Sequence, residues 1–244
     1  TGGAGFIGSN FIRHVLRDIK PETRIRTEKV ICLDKLTYSG SMENLKEVDG
    51  DPRFEFVKGD ICDSKLVTKL VKGCYAIVNF AAETHVDRSI KSSAEFINTN
   101  VLGTQVLLDA ARASGVKRFV QISTDEVYGS IAEGYFDENS KFSPNSPYAA
   151  SKAAADLLAR SYFVTHKLPV MIVRSSNNFG PYQYPEKIVP LFITNALEGK
   201  KLPVYADGSN VREWTYVRDN CDAIHFILHF GKIGEAYNIG SGDE

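Results

Sequence analysis

Thr1-Gly2-Gly3-Ala4-Gly5-Phe6-Ile7-Gly8-Ser9-Asn10 opens the chain, and its reading decides the fold. The glycines at 2, 5 and 8 make a GxxGxxG turn, and Phe11-Ile12-Arg13-His14-Val15-Leu16 follows with helical periodicity. Glycine there permits a tight turn, lets backbone N–H groups approach a pyrophosphate, and allows helix and strand to pack closely. Glycine-rich turns also occur for structural reasons alone, so the next segment matters. Lys29-Val30-Ile31-Cys32-Leu33 reads as a strand ending at Asp34. An acid at that place can bind both ribose hydroxyls of a dinucleotide and repel a 2′-phosphate, which favours NAD over NADP. Adjacent Lys35 weakens the preference only slightly.

Further out, Phe54-Glu55-Phe56-Val57 reads as a strand, followed by Lys58-Gly59-Asp60-Ile61. Asp60 is placed either to accept from an adenine amino group or to cap a helix from Ser64 to Val71. Ala76-Ile77-Val78-Asn79-Phe80-Ala81-Ala82 is a strand ending in small residues, and the polar run 83–89 reads as a loop. Asn98 to Ala113 has helical spacing, with Gly115 as its stop. Phe119-Val120-Gln121-Ile122 is a buried strand that delivers Ser123-Thr124-Asp125-Glu126-Val127-Tyr128-Gly129 to its carboxyl end, where open α/β sheets bind ligands. A long helix runs from Tyr148 to His166, and Tyr148 and Lys152 at i, i+4 share one face of it. Hydroxyl, paired carboxylates, tyrosine and lysine together suit proton transfer.

Val170-Met171-Ile172-Val173 is the next buried strand, with 174–181 as its polar exit loop. Beyond it the spacing predicts a turn at 182–187, a helix from Ile188 to Leu197 and a short strand from Lys201 to Tyr205. A mixed strand from Arg212 to Val217 and a helix from Asp219 to Phe230 follow. Strands alternating with helices predict the α/β class with a doubly wound parallel sheet, a Rossmann fold. The expected division is an NAD-binding domain over 1–175, lacking its first strand. A smaller, truncated substrate-binding region would fill 176–244, part of it returning onto the first domain. The chain starts in a loop and stops just after Asn238-Ile239-Gly240, so it reads as a piece of a longer protein.

Composition narrows the classes. The 244 residues are 43% hydrophobic and 24% charged with net charge −1, as in an ordinary globular protein. No charge excess points to nucleic acid or an anionic membrane, and the apolar runs are strand-sized, too short to span a bilayer. Cys32, Cys62, Cys74 and Cys221 are scattered with no CxxC pair, which suits reduced thiols in the cytoplasm. His225 and His229 stand at i, i+4 with no nearby acid, so an ordinary helix face is a better reading than a metal site.

These runs resemble the extended short-chain dehydrogenase/reductase superfamily and, within it, the NAD-dependent epimerase/dehydratase family. The matching stretches are 1–8, 33–38, 59–61, 81–89, 124–129, Tyr148 with Lys152, 176–181 and 236–240, nearly the whole chain. The Thr124-Asp125-Glu126 triplet separates the dehydratases from the sugar epimerases, which lack paired acids there. Residues 212–219 depart slightly from the usual wording. The resemblance implies NAD contacts from Gly2, Gly5, Phe6, Ile7, Gly8, Asp34, Lys35, Leu36, Thr37, Asp60 and Ile61. Phe80, Ala81, Ala82, Thr84, Thr99, Tyr148, Lys152 and Asn178 complete that set. It implies substrate contacts from Thr84, Thr124, Asn177, Lys187, Phe192, Pro203, Tyr205, Arg212 and Asn238. Arg212 has the planar fork that grips phosphate oxygens in pairs, although a surface salt bridge is its plainer role, as a turn is for Asn177.

The implied reaction dehydrates a nucleoside-diphosphate hexose, with dTDP-glucose the first candidate, to a 4-keto-6-deoxy sugar in a homodimer. A free tyrosine has a pKa of about 10, and the cation of Lys152 would favour the phenolate of Tyr148 that takes the 4-hydroxyl proton. Thr124 would bind the 4-oxygen. Glu126 would remove the proton at C5 while Asp125 gives its own to the departing 6-hydroxyl, two neighbours whose environments push their pKa values apart. Two rivals stand beside this. A nucleotide-sugar 4-epimerase needs only Tyr148 and Lys152, and a non-catalytic NAD-binding protein needs neither these nor the acids.

Overall fold

The structure, a computed structural model, describes residues 1–18, 27–204 and 207–242. β1 (Val30–Asp34) pairs with β2 (Phe54–Lys58). β3 (Ala76–Asn79), β4 (Arg118–Thr124), β5 (Val170–Ser175) and β8 (Ala236–Ile239) form a sheet in that order, and β6 (Asn177–Phe179) pairs with β7 (Trp214–Tyr216). Each of these pairings is parallel. Residues 1 and 2 bridge β1 and β3 through main-chain bonds. The Gly2 N–H donates to Leu33 O at 2.9 Å, the Thr1 nitrogen to Val78 O at 2.9 Å, and the Phe80 N–H to Thr1 O at 3.1 Å. The chain therefore winds outward through β1 and β2 on one side and through β3 onward on the other. That is a topological switch point, where a crevice opens at the strand ends.

Burial on both faces explains the unbroken apolar runs of β4 and β5. Val120, Ile122, Met171 and Val173 pack with residues of α1 (Phe6–Arg13) and α8 (Val217–Phe230). The alternate positions Phe119, Val170 and Ile172 pack with α2 (Ser64–Val71), α5 (Thr104–Ser114) and α6 (Pro147–His166). Strand periodicity of two sends successive side chains into opposite layers. α7 (Ile188–Leu197) lies where the sequence predicts a helix.

Several elements differ from expectation. The run 83–89 is only partly loop, because α3 (Val86–Lys91) starts within it, capped by His85 Nδ1 accepting from the Arg88 N–H at 3.4 Å. The helix expected from Asn98 begins earlier as α4 (Ala94–Phe96) and passes through a π-helical turn, Ile97–Gly103, before α5. That wide turn lets the Asn100 amide accept from the Glu83 N–H at 2.8 Å and donate to Glu83 O at 3.0 Å and Ser151 Oγ at 2.8 Å. π-bulges of this kind gather at functional sites. The short strands β6 and β8 stand where the sequence gives no apolar run. Lys201–Val204 is not a strand, and Tyr205 lies outside the described residues.

His225 Nδ1 on α8 meets His14 Nε2 at 3.0 Å, and His14 Nδ1 meets Asp222 at 3.0 Å. The His225 and His229 rings stand edge to face at 4.7 Å. Among the described residues no group of three or more His, Cys, Asp or Glu side chains could hold a metal. Burial, then His229 and His14, lower the His225 pKa from 6.5 to about 4. An unfolded chain takes up this proton near 6.5 and the folded one only near 4, so stability is lost as pH falls between them. The loss amounts to at most about 3 kcal/mol. His225→Leu should flatten the fall in urea midpoint across that window, and an unchanged slope would place the acid sensitivity elsewhere.

Candidate active site

The crevice at the switch point holds a cavity of about 360 Å³. Its floor on one side is the glycine turn. Gly2 has φ +68°, and a Cβ there would fall 2.7 Å from Ala81 Cα; a Cβ on Gly8 would fall 2.9 Å from Gly3 Cα. Main chain thus packs on main chain with no room for side chains. α1 starts at Phe6 with no side chain capping it, which leaves its first N–H groups facing the cavity. Such an uncapped helix start suits a pyrophosphate.

At the end of β1 the Asp34 carboxylate accepts from the Ala4 N–H at 2.9 Å and the Leu36 N–H at 2.8 Å. Leu36, at φ +57°, contributes this N–H and does not line the cavity, whereas Lys35 and Thr37 do. Asp60 lines it as well. Burial raises its pKa, but the Cys62 N–H and Lys35, paired at 2.7 Å, outweigh that and lower it. The helix-capping alternative for Asp60 is corrected: Asp63 caps α2, accepting from Lys65 and Leu66 N–H groups at 3.1 and 3.0 Å. Ile61, Phe80, Ala81, Ala82, Thr84, Thr99 and Asn178 complete this wall. Asn178 Nδ2 donates to Ser176 O at 2.9 Å, and its buried Oδ1 has no hydrogen-bond partner, which leaves an acceptor free at this wall. The cradle and the aligned carboxylate fit an NAD dinucleotide.

The facing wall carries the proton-handling groups. Thr124 ends β4 and caps the 3₁₀ turn Asp125–Tyr128, accepting from the Glu126 N–H at 3.3 Å. That turn aims Glu126 at the cavity. Asp125 does not line it and instead accepts from Thr124 Oγ1 at 3.1 Å. α6 starts sharply because Ser146 caps it through the Ala149 N–H at 3.1 Å and Pro147 fills its first position. Tyr148 and Lys152 follow on one face, both buried and both lining the cavity.

Burial first, then Glu126 and Asp125, raise the Tyr148 pKa far above that of free tyrosine, with a Thr124 hydrogen bond opposing. Burial lowers Lys152 to about 8, with Asp156 opposing, and its Nζ donates to Ile122 O at 2.6 Å. The protein surroundings therefore hold Tyr148 as a phenol, against the expectation that Lys152 favours its phenolate. Burial also raises both carboxyls. On Asp125 the hydrogen bonds from Thr124 and the Glu126 N–H oppose it, while on Glu126 the charge of Asp125 adds to it. Shared burial shifts the pair in one direction instead of driving the two apart, so position distinguishes them: Glu126 faces the cavity and Asp125 stands behind it.

Of the expected substrate contacts, Thr84, Thr124, Asn177 and Lys187 line the cavity. Phe192 on α7, Pro203, Arg212 and Asn238 do not. Arg212 is exposed and donates to Val211 O at 2.7 Å, though its charge still lowers the Glu126 pKa. Asn238 is engaged elsewhere, accepting from the Tyr128 hydroxyl at 2.8 Å and donating to Phe136 O at 3.4 Å. Sequence reasoning missed the rim. The Arg88 guanidinium lies 3.9 Å over the Tyr38 ring, Tyr184 meets that ring at 5.6 Å, and Glu186 approaches His85 and Arg88 at 3.6 and 3.9 Å. These residues come from three separate segments, the loop after β1, the start of α3 and the turn before α7, and only a shared richness in aromatic and charged side chains hinted at them.

A family model described as GDP-mannose 4,6 dehydratase matches residues 1–244. The dTDP-glucose 4,6-dehydratase of Streptomyces niveus is 56% identical over 244 residues, covering 100% of this chain and 72% of that protein. The low-salt glycan biosynthesis protein Agl12 of Haloferax volcanii is 56% identical over all of this chain and 76% of its own. The crystal structure of DesIV, a dTDP-glucose 4,6-dehydratase from Streptomyces venezuelae with NAD and TYD bound, superposes with a TM-score of 0.96. It is 54% identical and covers 99% of this chain and 74% of its own.

Proposed function

Because the chain belongs to the nucleotide-sugar 4,6-dehydratase family, we propose that it is an NAD-dependent enzyme that converts dTDP-glucose to the 4-keto-6-deoxy sugar. One observation carries this reading: Glu126, with Asp125 behind it, faces the same cavity as Tyr148 and Lys152, opposite a glycine cradle. An epimerase would use Tyr148 and Lys152 alone, and a non-catalytic binder would have no use for a buried acid pair.

Gly2, Gly5, Gly8 and the α1 N-terminus would hold the pyrophosphate of NAD and Asp34 a ribose, with Thr99 and Asn178 also placed to contact the dinucleotide. Bound there, NAD would supply a hydride acceptor for C4 of the hexose and a hydride donor for C6, so the reaction has no net redox change. As phenolate, the form that the cations of Lys152 and of bound NAD⁺ would favour over the phenol held by the protein surroundings alone, Tyr148 takes the 4-hydroxyl proton as C4 becomes a carbonyl, whose oxygen Thr124 holds. That carbonyl acidifies C5. Glu126, whose raised pKa makes it a stronger base than an ordinary carboxylate, takes the C5 proton. The C5–C6 double bond forms as the C6–O bond breaks, and Asp125, whose pKa burial raises, gives its proton to the departing hydroxyl, which leaves as water; when hydride adds at C6, Glu126 returns its proton to C5. Asn177 and Lys187, which line the cavity, bind the nucleotide-sugar.

Residues 1–175 serve as the NAD-binding domain and 176–244 as the substrate region, from which α8 and β8 return to the main sheet. Among the described residues no helix is long and apolar enough to cross a membrane, and no disulfide joins the four cysteines. Both support a cytoplasmic placement. The same reading takes the protein to be a homodimer. Mass spectrometry of dTDP-glucose after incubation tests the reaction: the product should be lighter by one water. An isomer of unchanged mass would make the protein an epimerase instead.

A further inference from the structure

Behind the catalytic wall lies a buried polar chain that no step above employs. Arg174 on β5 and Asp156 on α6 are 6% and 1% exposed, with Nε 3.0 Å from Oδ2. Asp156 stands one helical turn beyond Lys152, so Tyr148, Lys152 and Asp156 fall at i, i+4 and i+8 on one face. The other arm of the guanidinium donates to the Tyr128 hydroxyl at 2.7 Å, and that hydroxyl donates to Asn238 at 2.8 Å. Tyr128 closes the 3₁₀ turn that carries Asp125 and Glu126, and its ring stacks on Phe136 at 5.2 Å. A single guanidinium thus ties the helix of Tyr148 and Lys152 to the turn of the acid pair and to β8. Arg174 itself does not line the cavity.

A buried ion pair adds little net stability over well-packed apolar residues, so stability alone gives weak reason for one here. Its distinctive property is geometry: a planar fork with fixed directions that an apolar pair lacks. The chemistry needs such a fixture. C4 oxidation depends on Tyr148, whereas loss of water depends on Glu126 and Asp125 meeting the same sugar from another element. An error of about 1 Å between two such groups can cost on the order of 100-fold in rate.

We propose that Arg174, braced by Asp156, is a positioning residue for the elimination step, fixing through Tyr128 the turn of Asp125 and Glu126 against the helix of Tyr148 and Lys152. The inference rests on the 4,6-dehydratase reading of this site. Tyr128→Phe tests it in the full-length enzyme, because it removes one hydroxyl and leaves the Arg174–Asp156 pair in place. In single turnovers quenched for mass spectrometry, the variant should oxidise C4 at the wild-type rate. Elimination should slow roughly tenfold or more, so the 4-keto hexose nucleotide that retains its 6-hydroxyl accumulates, with KM unchanged. Arg174→Lys, which keeps the charge beside Asp156 but cannot span to Tyr128, should shift the same ratio. That ratio is read only from sites that have oxidised a sugar, so partial loss of folded protein does not alter it. A wild-type ratio in both variants overturns the positioning role while leaving the dehydratase reading intact. A wild-type enzyme that yields no dehydrated product overturns the dehydratase reading itself.

Discussion

Glu126→Gln should lower dehydratase turnover by roughly 10²- to 10⁴-fold, the usual worth of a positioned general base, while C4 oxidation continues. The substitution keeps shape and hydrogen bonding and removes only the ionisable oxygen. Sugar should therefore collect as the 4-keto hexose nucleotide that retains its 6-hydroxyl, detectable by quenched mass spectrometry. The pH profile adds a second reading. Burial and the charge of Asp125 raise the Glu126 pKa, and the base works only when deprotonated. The acid limb of kcat in the wild type should then lie above the ordinary glutamate value, and this limb should vanish in the variant. Full turnover by Glu126→Gln would move the base assignment to another residue.

Gly8→Ala should damage the other wall as severely. A Cβ at Gly8 would press on Gly2 and Gly3 main chain, with Gly3 Cα at 2.9 Å, and neither neighbour is a flexible side-chain tip that can turn away. Overpacking of this kind costs about 1–3 kcal/mol, and in a chain of this size each kcal/mol lowers Tm by about 2–4 °C. NAD affinity, measured by calorimetry, should fall with it, because the same backbone shift closes the space at the α1 N-terminus. Gly5→Ala supplies an internal scale. Its Cβ would meet only Gly2 O, at 3.3 Å, so its losses should be the smaller. Equal effects from the two variants would mean that close packing is not what the turn requires.

What the sequence reveals about this molecule follows the range of the interactions involved. The glycine turn, Asp34 at the end of β1, the apolar strands β4 and β5 and the Tyr148–Lys152 spacing all express local periodicity or local backbone demand, and each stands where the sequence places it. The family resemblance adds Thr99 and Asn178, which no local pattern marks. Errors arise where neighbours compete or distant segments meet. Asp60 and Asp63 are equally plausible caps three residues apart, and only the helix start decides for Asp63. The π-turn exists because Asn100 must reach Glu83 and Ser151, contacts across 17 and 51 residues. β6 and β8 owe their strand form to partners β7 and β5 and not to their own composition. Arg212 and Asn238 belong to the resemblance but stand apart from the cavity, because Val211 and Tyr128 hold them.

The two walls of the crevice differ in kind. Where Gly2, Gly8 and Ala81 meet, the surface is main chain, which substitution can obstruct but hardly reshape. The opposite rim consists of side chains, among them Thr84, Asn177 and Lys187, each replaceable with little consequence for the turn. Inheritance can therefore act on the halves separately. A descendant could exchange one sugar nucleotide for another by rewriting the rim, and the half that grips the dinucleotide would pass down unaltered.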